Sequence, residues 1–532
     1  TQIGPLFRAT ERALLILGAP GAGKTITLLE LAEDLLDEAD ADPTRPIPLV
    51  LNLASWAENA PERLEDWLAE RLTRDYGVSS KAAKRWIDDG ALLFLLDGLD
   101  EVAQDKRDAC VTAINAYWQG AQRWGDNGLA VCSRIEEYAS LSARLNVQKA
   151  IQLEPLALGQ AQEYAAKLGT AWDGLRAALA TDTTLQALAQ SPLDLNIMAV
   201  AYRGKAAGEL TGFADAEAQE RHLYDNYVTQ RLREEGAHPT YSHTQTRHYL
   251  AWLARAMTAH DRIVFHIEDL RGTWLDEGQR KQARRTILAI AVGYGLIVGL
   301  VDGLAIGLVG GLAIGLVGGL HSRLSISTAL NSPQFAERFS LSQKGLLVGL
   351  GIGLGVGLVG GLLGGLLGGL LGGLVFGLVF GLVFGLLGGL LGGLLIESVD
   401  LKTRPNQSAW RSLRSGLGVA LGAALVFTLI AGLIAGLVGG LTHGLMVRLV
   451  VGLVGGLVVG LVFGLLVGLG LGLAAVIAHV ILRRVLWRGG DAPWNYADFL
   501  TYTSERHLTR QVGGGFLFRH RKLMEHFARS GW

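Results

Sequence analysis

Between Gly345 and Ile396 the chain contains only Gly, Leu, Val, Ile and Phe, and glycine recurs at every fourth position from Gly361 to Gly393. No other stretch restricts the possible folds so strongly. In water each helical glycine costs about 1 kcal/mol relative to alanine. In hydrocarbon, unpaired backbone groups cost more than that, so a spanning segment must close its own hydrogen bonds. Small residues four apart also let helix backbones approach one another within lipid. As a single helix these roughly 52 residues would run about 78 Å at 1.5 Å each, against a hydrocarbon core of about 30 Å. The block therefore predicts two packed transmembrane helices.

Composition supports a divided chain. Only 18% of residues are charged and 72 of 532 are glycine. That is short of charge and rich in glycine for a soluble protein throughout. The absence of a G-x-y period, with 12 prolines, excludes collagen. Abundant Leu and Val exclude a disordered polar tract. A formal net charge of -1 gives no electrostatic case for a nucleic-acid partner. Cys110 and Cys132 are too few for a disulfide framework and read as buried thiols of a reducing compartment. The chain starts at Thr1, so an upstream domain is expected to have been cut away.

The apolar region runs from about Thr286 to Trp487, interrupted by two polar stretches, 321–344 and 397–415. Basic residues dominate its flanks: Lys281, Arg284 and Arg285 before it, Arg483, Arg484 and Arg488 after it. Within the interruptions, Arg323, Arg338 and Lys344 outnumber Glu337, and Lys402, Arg404, Arg411 and Arg414 outnumber Glu397 and Asp400. The positive-inside rule then puts all four flanks in the cytoplasm. Each apolar block becomes a hairpin, about six spans in all, with outer tips near Asp302, the 376–384 stretch, and Thr442 and His443. Asp302 and Arg448 receive no role. The alternative is a soluble buried helical core, or helices lying along the interface.

Before this region, short apolar runs alternate with amphipathic stretches, the pattern of an α/β domain followed by helices. The apolar strand Ala13 to Leu17 runs into Gly18-Ala19-Pro20-Gly21-Ala22-Gly23-Lys24-Thr25 and then a helical stretch. This is G-x-x-x-x-G-K-[ST] in the strand-to-helix setting the motif requires. Backbone N–H groups of the loop and the helix N-terminus face phosphates, Lys24 reaches the β and γ oxygens, and Thr25 ligates Mg2+. A second buried strand, Leu92 to Leu96, delivers Asp97, placed to hold the metal. Asp100 and Glu101 follow, able to orient or deprotonate the attacking water. A third strand, Gly128 to Cys132, brings Ser133 and Arg134 to the same edge, where a cation can sense the γ-phosphate.

The GAPGAGKT loop, the LLFLLDGLDEV strand, the AVCSR strand end and Ile151-Gln-Leu-Glu-Pro-Leu156 together resemble a NACHT-type nucleotide-binding domain of the STAND class of P-loop ATPases. The resemblance extends to Ser191-Pro192-Leu193, which is similar to the helical-domain segment whose proline lies by the adenine. Leu223 to Val228 resembles the first helix of the family's winged-helix domain, and Gly513 to Ala528 its wing hairpin and last helix. His520 matches the family histidine that contacts the ADP β-phosphate in the resting state.

The resemblance implies an α/β P-loop nucleotide-binding domain plus helical and winged-helix domains; the apolar region, read from its composition and repeat, adds an all-α transmembrane helical region inserted in the winged helix. The expected boundaries are 1–155 for the nucleotide domain, 156–215 helical, 216–285 first winged-helix part, 286–487 membrane helices and 488–532 terminal winged-helix part. Implied cofactors are ATP or ADP and Mg2+. Implied partners are nucleotide, the lipid bilayer, further copies of the chain when ATP is bound, and an unidentified activating ligand.

The function expected is a regulated ATPase switch in the cytoplasmic membrane, ADP-bound at rest and oligomerising with ATP. Its helices would act as effector in bacterial stress or phage defence. The alternatives are a nucleotide-binding membrane scaffold with little turnover and an ATP-gated channel. Leu158-Gly-Gln-Ala-Gln lacks the paired glycines of a transporter signature, and His243 and His248 are not spaced as a helical zinc pair. Trp56, Trp67 and Trp86 are expected to pack on helices or the sheet.

Overall fold

The computed structural model describes residues 2–56, 63–123, 127–234, 240–260, 262–306, 308–331, 338–341, 394–397, 406–438, 460–462, 467–512 and 514–532, with isolated positions between. Nearly all of the block from Gly345 to Ile396, expected as two helices, lies outside the described residues, as does the hairpin tip near Thr442 and His443. The last three residues of that block, Leu394 to Ile396, form a strand, so the region between 286 and 487 is not all-α as expected. The chain divides into two compact units. One comprises Thr1–Val264, Leu500–Gln511 and Leu517–Trp532; the other comprises Phe265–Phe499 and Val512–Phe516.

The first unit is built on a parallel sheet of β1 (Ala13–Gly18), β2 (Ile47–Asn52), β3 (Leu92–Asp97), β4 (Leu129–Arg134) and β5 (Lys149–Leu153). Its order is β2-β3-β4-β1-β5. The inner strands β1, β3 and β4 are buried almost throughout, because helices cover both faces of a parallel sheet and every side chain must be apolar. On one face Ile3 and Phe7 of α1 (Ile3–Ala9) and Leu28, Leu31 and Leu35 of α2 (Lys24–Ala41) pack on Leu14, Ile16, Leu93 and Leu95. On the other, Trp67 and Leu68 of α3 (Leu64–Tyr76), with Ile114 and Trp118 of α4 (Arg107–Ala121), cover Leu15, Phe94, Leu96 and Val131. Trp56 and Trp67 are buried as expected, whereas Trp86 is 40% exposed.

Beyond the sheet, α5 (Pro192–Ala201) starts with Ser191 as N-cap and proline at the first helical position, where its missing N–H costs nothing. Helices α6 (Ala216–Glu234) and α7 (His243–Ala259) pack with α8 (Arg521–Arg529), which follows a hairpin of strands Thr509–Val512 and Gly515–Phe518. Trp532 lies under the Arg247 guanidinium at 4.9 Å, and Arg255 donates to the Ser530 carbonyl at 3.1 Å. This helical group is thus assembled from segments more than 250 residues apart in the chain.

In the second unit, helices Glu277–Ile306 and Leu308–Asn331 run antiparallel with backbones in close contact. A Cβ on Gly295 would lie 2.7 Å from the Gly315 carbonyl, and one on Gly319 would lie 2.9 Å from that of Ala291. Helix Gln407–Val438 makes a similar contact, with Gly416, Ala420 and Ala424 against Gly468, Gly464 and Gly460. Strands Arg338–Leu341 and Leu394–Glu397 pair antiparallel, Arg338 opposite Glu397 and Leu341 opposite Leu394. Among the described residues, one helix, Glu277–Leu300, is long and apolar enough to cross a membrane. The second unit begins at Phe265, earlier than the change in composition near Thr286, because Phe265 and Phe516 form a bridge and the Ile267 carbonyl lies 2.8 Å from His479 Nε2.

Candidate functional site

The loop from Gly18 to Thr25 joins the C-terminal end of β1 to the first turn of α2. Gly21 and Gly23 hold φ of +78° and +97°, left-handed conformations that glycine adopts without strain. At Gly21 a side chain is also excluded by space, since a Cβ would sit 2.7 Å from Ser191 Oγ and 3.1 Å from Leu193 Cβ. The Leu193 amide donates to the Gly21 carbonyl at 3.3 Å. Pro192 is therefore held against the loop by its two neighbours. Lys24 Nζ donates to the Gly18 and Ala19 carbonyls, both at 3.0 Å, and burial holds its pKa below the usual lysine range.

Parallel pairing of β3 beside β4, and β4 beside β1, gathers the acids at this same sheet edge. Thr25 Oγ1 donates to Asp97 Oδ2 at 2.7 Å. Burial raises the Asp97 pKa, opposed by that hydrogen bond. The hydroxyl and the carboxylate suit Mg2+, a hard cation that takes one or two protein oxygens and completes its shell with phosphate and water. Among the described residues, no group of three His, Cys, Asp or Glu side chains could hold a metal without such outside ligands.

The two acids after Asp97 differ in surroundings. Asp100 is 5% exposed and both its oxygens are engaged: Oδ2 with Arg134 Nε at 2.9 Å, Oδ1 with the Arg134 backbone N–H at 3.2 Å. Arg134 also lies 3.5 Å from Glu137. Asp100 and Arg134, both read from the sequence as acting on the reacting groups, are thus brought together as a largely enclosed ion pair that ties β4 to the turn after β3. Glu101 is placed differently. Its Oε2 accepts from Asn52 Nδ2 at 2.8 Å, and burial raises its pKa to about 6.

His520 is the N-cap residue of α8 and follows the terminal hairpin. Burial, assisted by Arg519, lowers its pKa to about 4, so the imidazole is neutral at pH 7. The next two residues were not singled out from the sequence. Arg521 Nη1 lies 3.9 Å from Asp100 Oδ2, and Lys522 pairs with Asp194, a carboxylate 1% exposed that also accepts from Tyr224 Oη at 2.8 Å. Burial, reinforced by the Asp194 charge, pushes the Tyr224 phenol far above its usual pKa. Asn52 was also missed, because the strand it ends carries Pro48 and follows Pro46 and so does not read as a strand.

Residues 12–168 match the sequence model of the NACHT domain. A search of curated proteins finds no match to the chain. NACHT domains are nucleotide-binding P-loop NTPases of the STAND type, and the five-stranded parallel sheet over these residues fits that domain.

Proposed function

We propose that the chain is a membrane-anchored, nucleotide-dependent switch, an ATPase of the STAND type that rests with ADP and oligomerises with ATP. In this reading Gly18 to Thr25 cradle the phosphates, Thr25 and Asp97 hold Mg2+, and Pro192 and His520 contact the bound nucleotide. The metal, when bound, supplies positive charge against the phosphates. Glu101 is the residue that orients or deprotonates the attacking water, since Asp100 is committed to Arg134. The Asp100–Arg134 pair then acts as the brace of that edge.

The observation that carries the coupling is the path of the chain. It leaves the first unit at Val264 and re-enters at Leu500, so α8, bearing His520, Arg521 and Lys522, follows the apolar segments in one continuous chain. Movement of α8 between nucleotide states would be transmitted along that connection. Support for membrane residence comes from the apolar stripes the helices present. Leu296 and Leu300 on one helix, and Leu417, Leu421, Leu425 and Leu429 on another, are each at least 45% exposed. Contiguous exposed apolar surface marks an interaction site. The ladder from Arg338 to Leu341 supports a hairpin for the middle block, because it brings the ends of that block together.

The test is proteolysis of sealed inside-out vesicles carrying wild type or Lys24→Ala, with and without a non-hydrolysable ATP analogue. Cleavage is expected in both polar stretches, 321–344 and 397–415, with an analogue-dependent change in wild type alone. Protection of both stretches while the nucleotide domain is cut would overturn the topology. A pattern indifferent to the analogue would overturn the coupling.

A further inference from the structure

We infer that Asn52 is a positioning residue for Glu101, fixing at the sheet edge the carboxylate that serves the attacking water. The inference rests on the NTPase reading and extends it to a residue outside the motifs.

Asn52 ends β2, and the register places it opposite Asp97 of β3. Its amide has a defined orientation. Oδ1 accepts from the Ala54 N–H at 2.8 Å, which leaves Nδ2, the donor, facing Glu101 Oε2 at 2.8 Å. The intervening Gly98 makes room for this bond. Its φ is +76°, and a Cβ there would lie 2.8 Å from Glu101 Oε2 and 3.2 Å from Asn52 Nδ2. The strand end, the turn and the amide thus agree on one position for the Glu101 carboxylate.

The charged groups facing Glu101 are Asp100 and Asp97 from its own segment, which oppose its ionisation, and Arg521 from α8, which favours it. Asn52 is the direct hydrogen-bond donor, and a donor to a carboxylate favours the charged form that a base requires. Without it Glu101 keeps its burial and its two negative neighbours and loses the contact that sets its place.

The test uses the full-length chain in nanodiscs with Asn52→Ala and Asn52→Asp. Aspartate retains the acceptor for the Ala54 N–H, so it keeps the local cap while removing the donor. Both variants are expected to lower kcat for Mg-ATP hydrolysis at least about tenfold, as misplacing a general base does. Binding of a fluorescent ADP should stay within about twofold of wild type, because no phosphate contact is touched. The acid limb of the kcat profile should move to higher pH, further for Asp than for Ala. Wild-type kcat and acid limb in Asn52→Asp would overturn the inference, since a purely capping role predicts that outcome. Carbodiimide labelling of Glu101 against pH, read by peptide mass spectrometry, tests the same contact without turnover. A midpoint raised in both variants supports the inference and an unchanged one overturns it. Absence of hydrolysis in wild type would count against the NTPase reading, with the labelling still deciding the role of Asn52.

Discussion

Removing the Lys522 ammonium should be among the most damaging single changes available on α8. Asp194 is 1% exposed, and its partners are Tyr224 Oη at 2.8 Å and Lys522, whose side chain is 20% exposed. Lys522→Met keeps the length and apolar stem of the side chain and strips the charge, leaving a buried carboxylate with one neutral donor. Breaking a buried pair in this way costs about 3–5 kcal/mol. The lower end applies here, because Lys522 retains some contact with water and because Asp194 sits in the first turn of α5, where the helix dipole favours an anion. The expected loss is about 3 kcal/mol, a fall of roughly 6 °C in Tm for a unit of this size. Pairing Lys522→Met with Asp194→Leu removes both charges. It leaves the Tyr224 hydroxyl without its acceptor, which costs about 1 kcal/mol, and the partly exposed Glu220 without the ammonium 3.6 Å away, which costs less. The double variant should therefore be more stable than the single one. Urea unfolding of the first unit in the full-length chain, followed by pulse proteolysis, measures both. A single variant within about 0.5 kcal/mol of wild type, or a double variant less stable than Lys522→Met, would refute the reasoning.

Two further outcomes follow from the site. Gly21→Ala should reduce nucleotide affinity more than about tenfold, because a Cβ meets Ser191 Oγ at 2.7 Å at a φ of +78° where a side chain already costs about 1 kcal/mol or more; fluorescent ADP titration checks this. The His520 pKa is about 4, below the unfolded value of about 6.5. Its contribution to stability is therefore present above pH 6.5 and lost as pH falls toward 4, and unfolding free energies between those values should flatten in His520→Gln.

The parts of this fold that read directly from the sequence are those whose environment imposes one residue type. β1, β3 and β4 are covered on both faces and read as unbroken apolar runs, and the loop at Gly18 to Thr25 demands glycine at left-handed positions. β2 escaped because it is an edge strand, with Pro46 before it and Pro48 within it, a composition that speaks against a strand. α1 escaped because Gly4 and Pro5 mask its first turn. The contacts that distinguish Asp100 from Glu101 depend on strand order. Only when β2 lies beside β3, and β3 beside β4, does Asn52 reach one acid and Arg134 the other. The Asp194–Lys522 pair joins residues separated by 328 positions, and no local pattern announces such a partner.

The short ladder between Arg338–Leu341 and Leu394–Glu397 also bears on how this chain can change over generations. The four-residue repeat of Gly and Leu from Gly361 to Gly393 lies between these two strands, so any change in its number of units falls within the span they close. In the helical reading of the block, each unit would add about 6 Å at 1.5 Å per residue. A clamp across the two ends isolates such changes, since units added between them need not displace either strand. The reach of the apolar block is thereby separated from the register of everything downstream, including the helix that carries His520 and Lys522. In the membrane-anchored reading proposed above, copies of this chain with different repeat numbers would keep the same nucleotide machinery while fitting bilayers of different thickness.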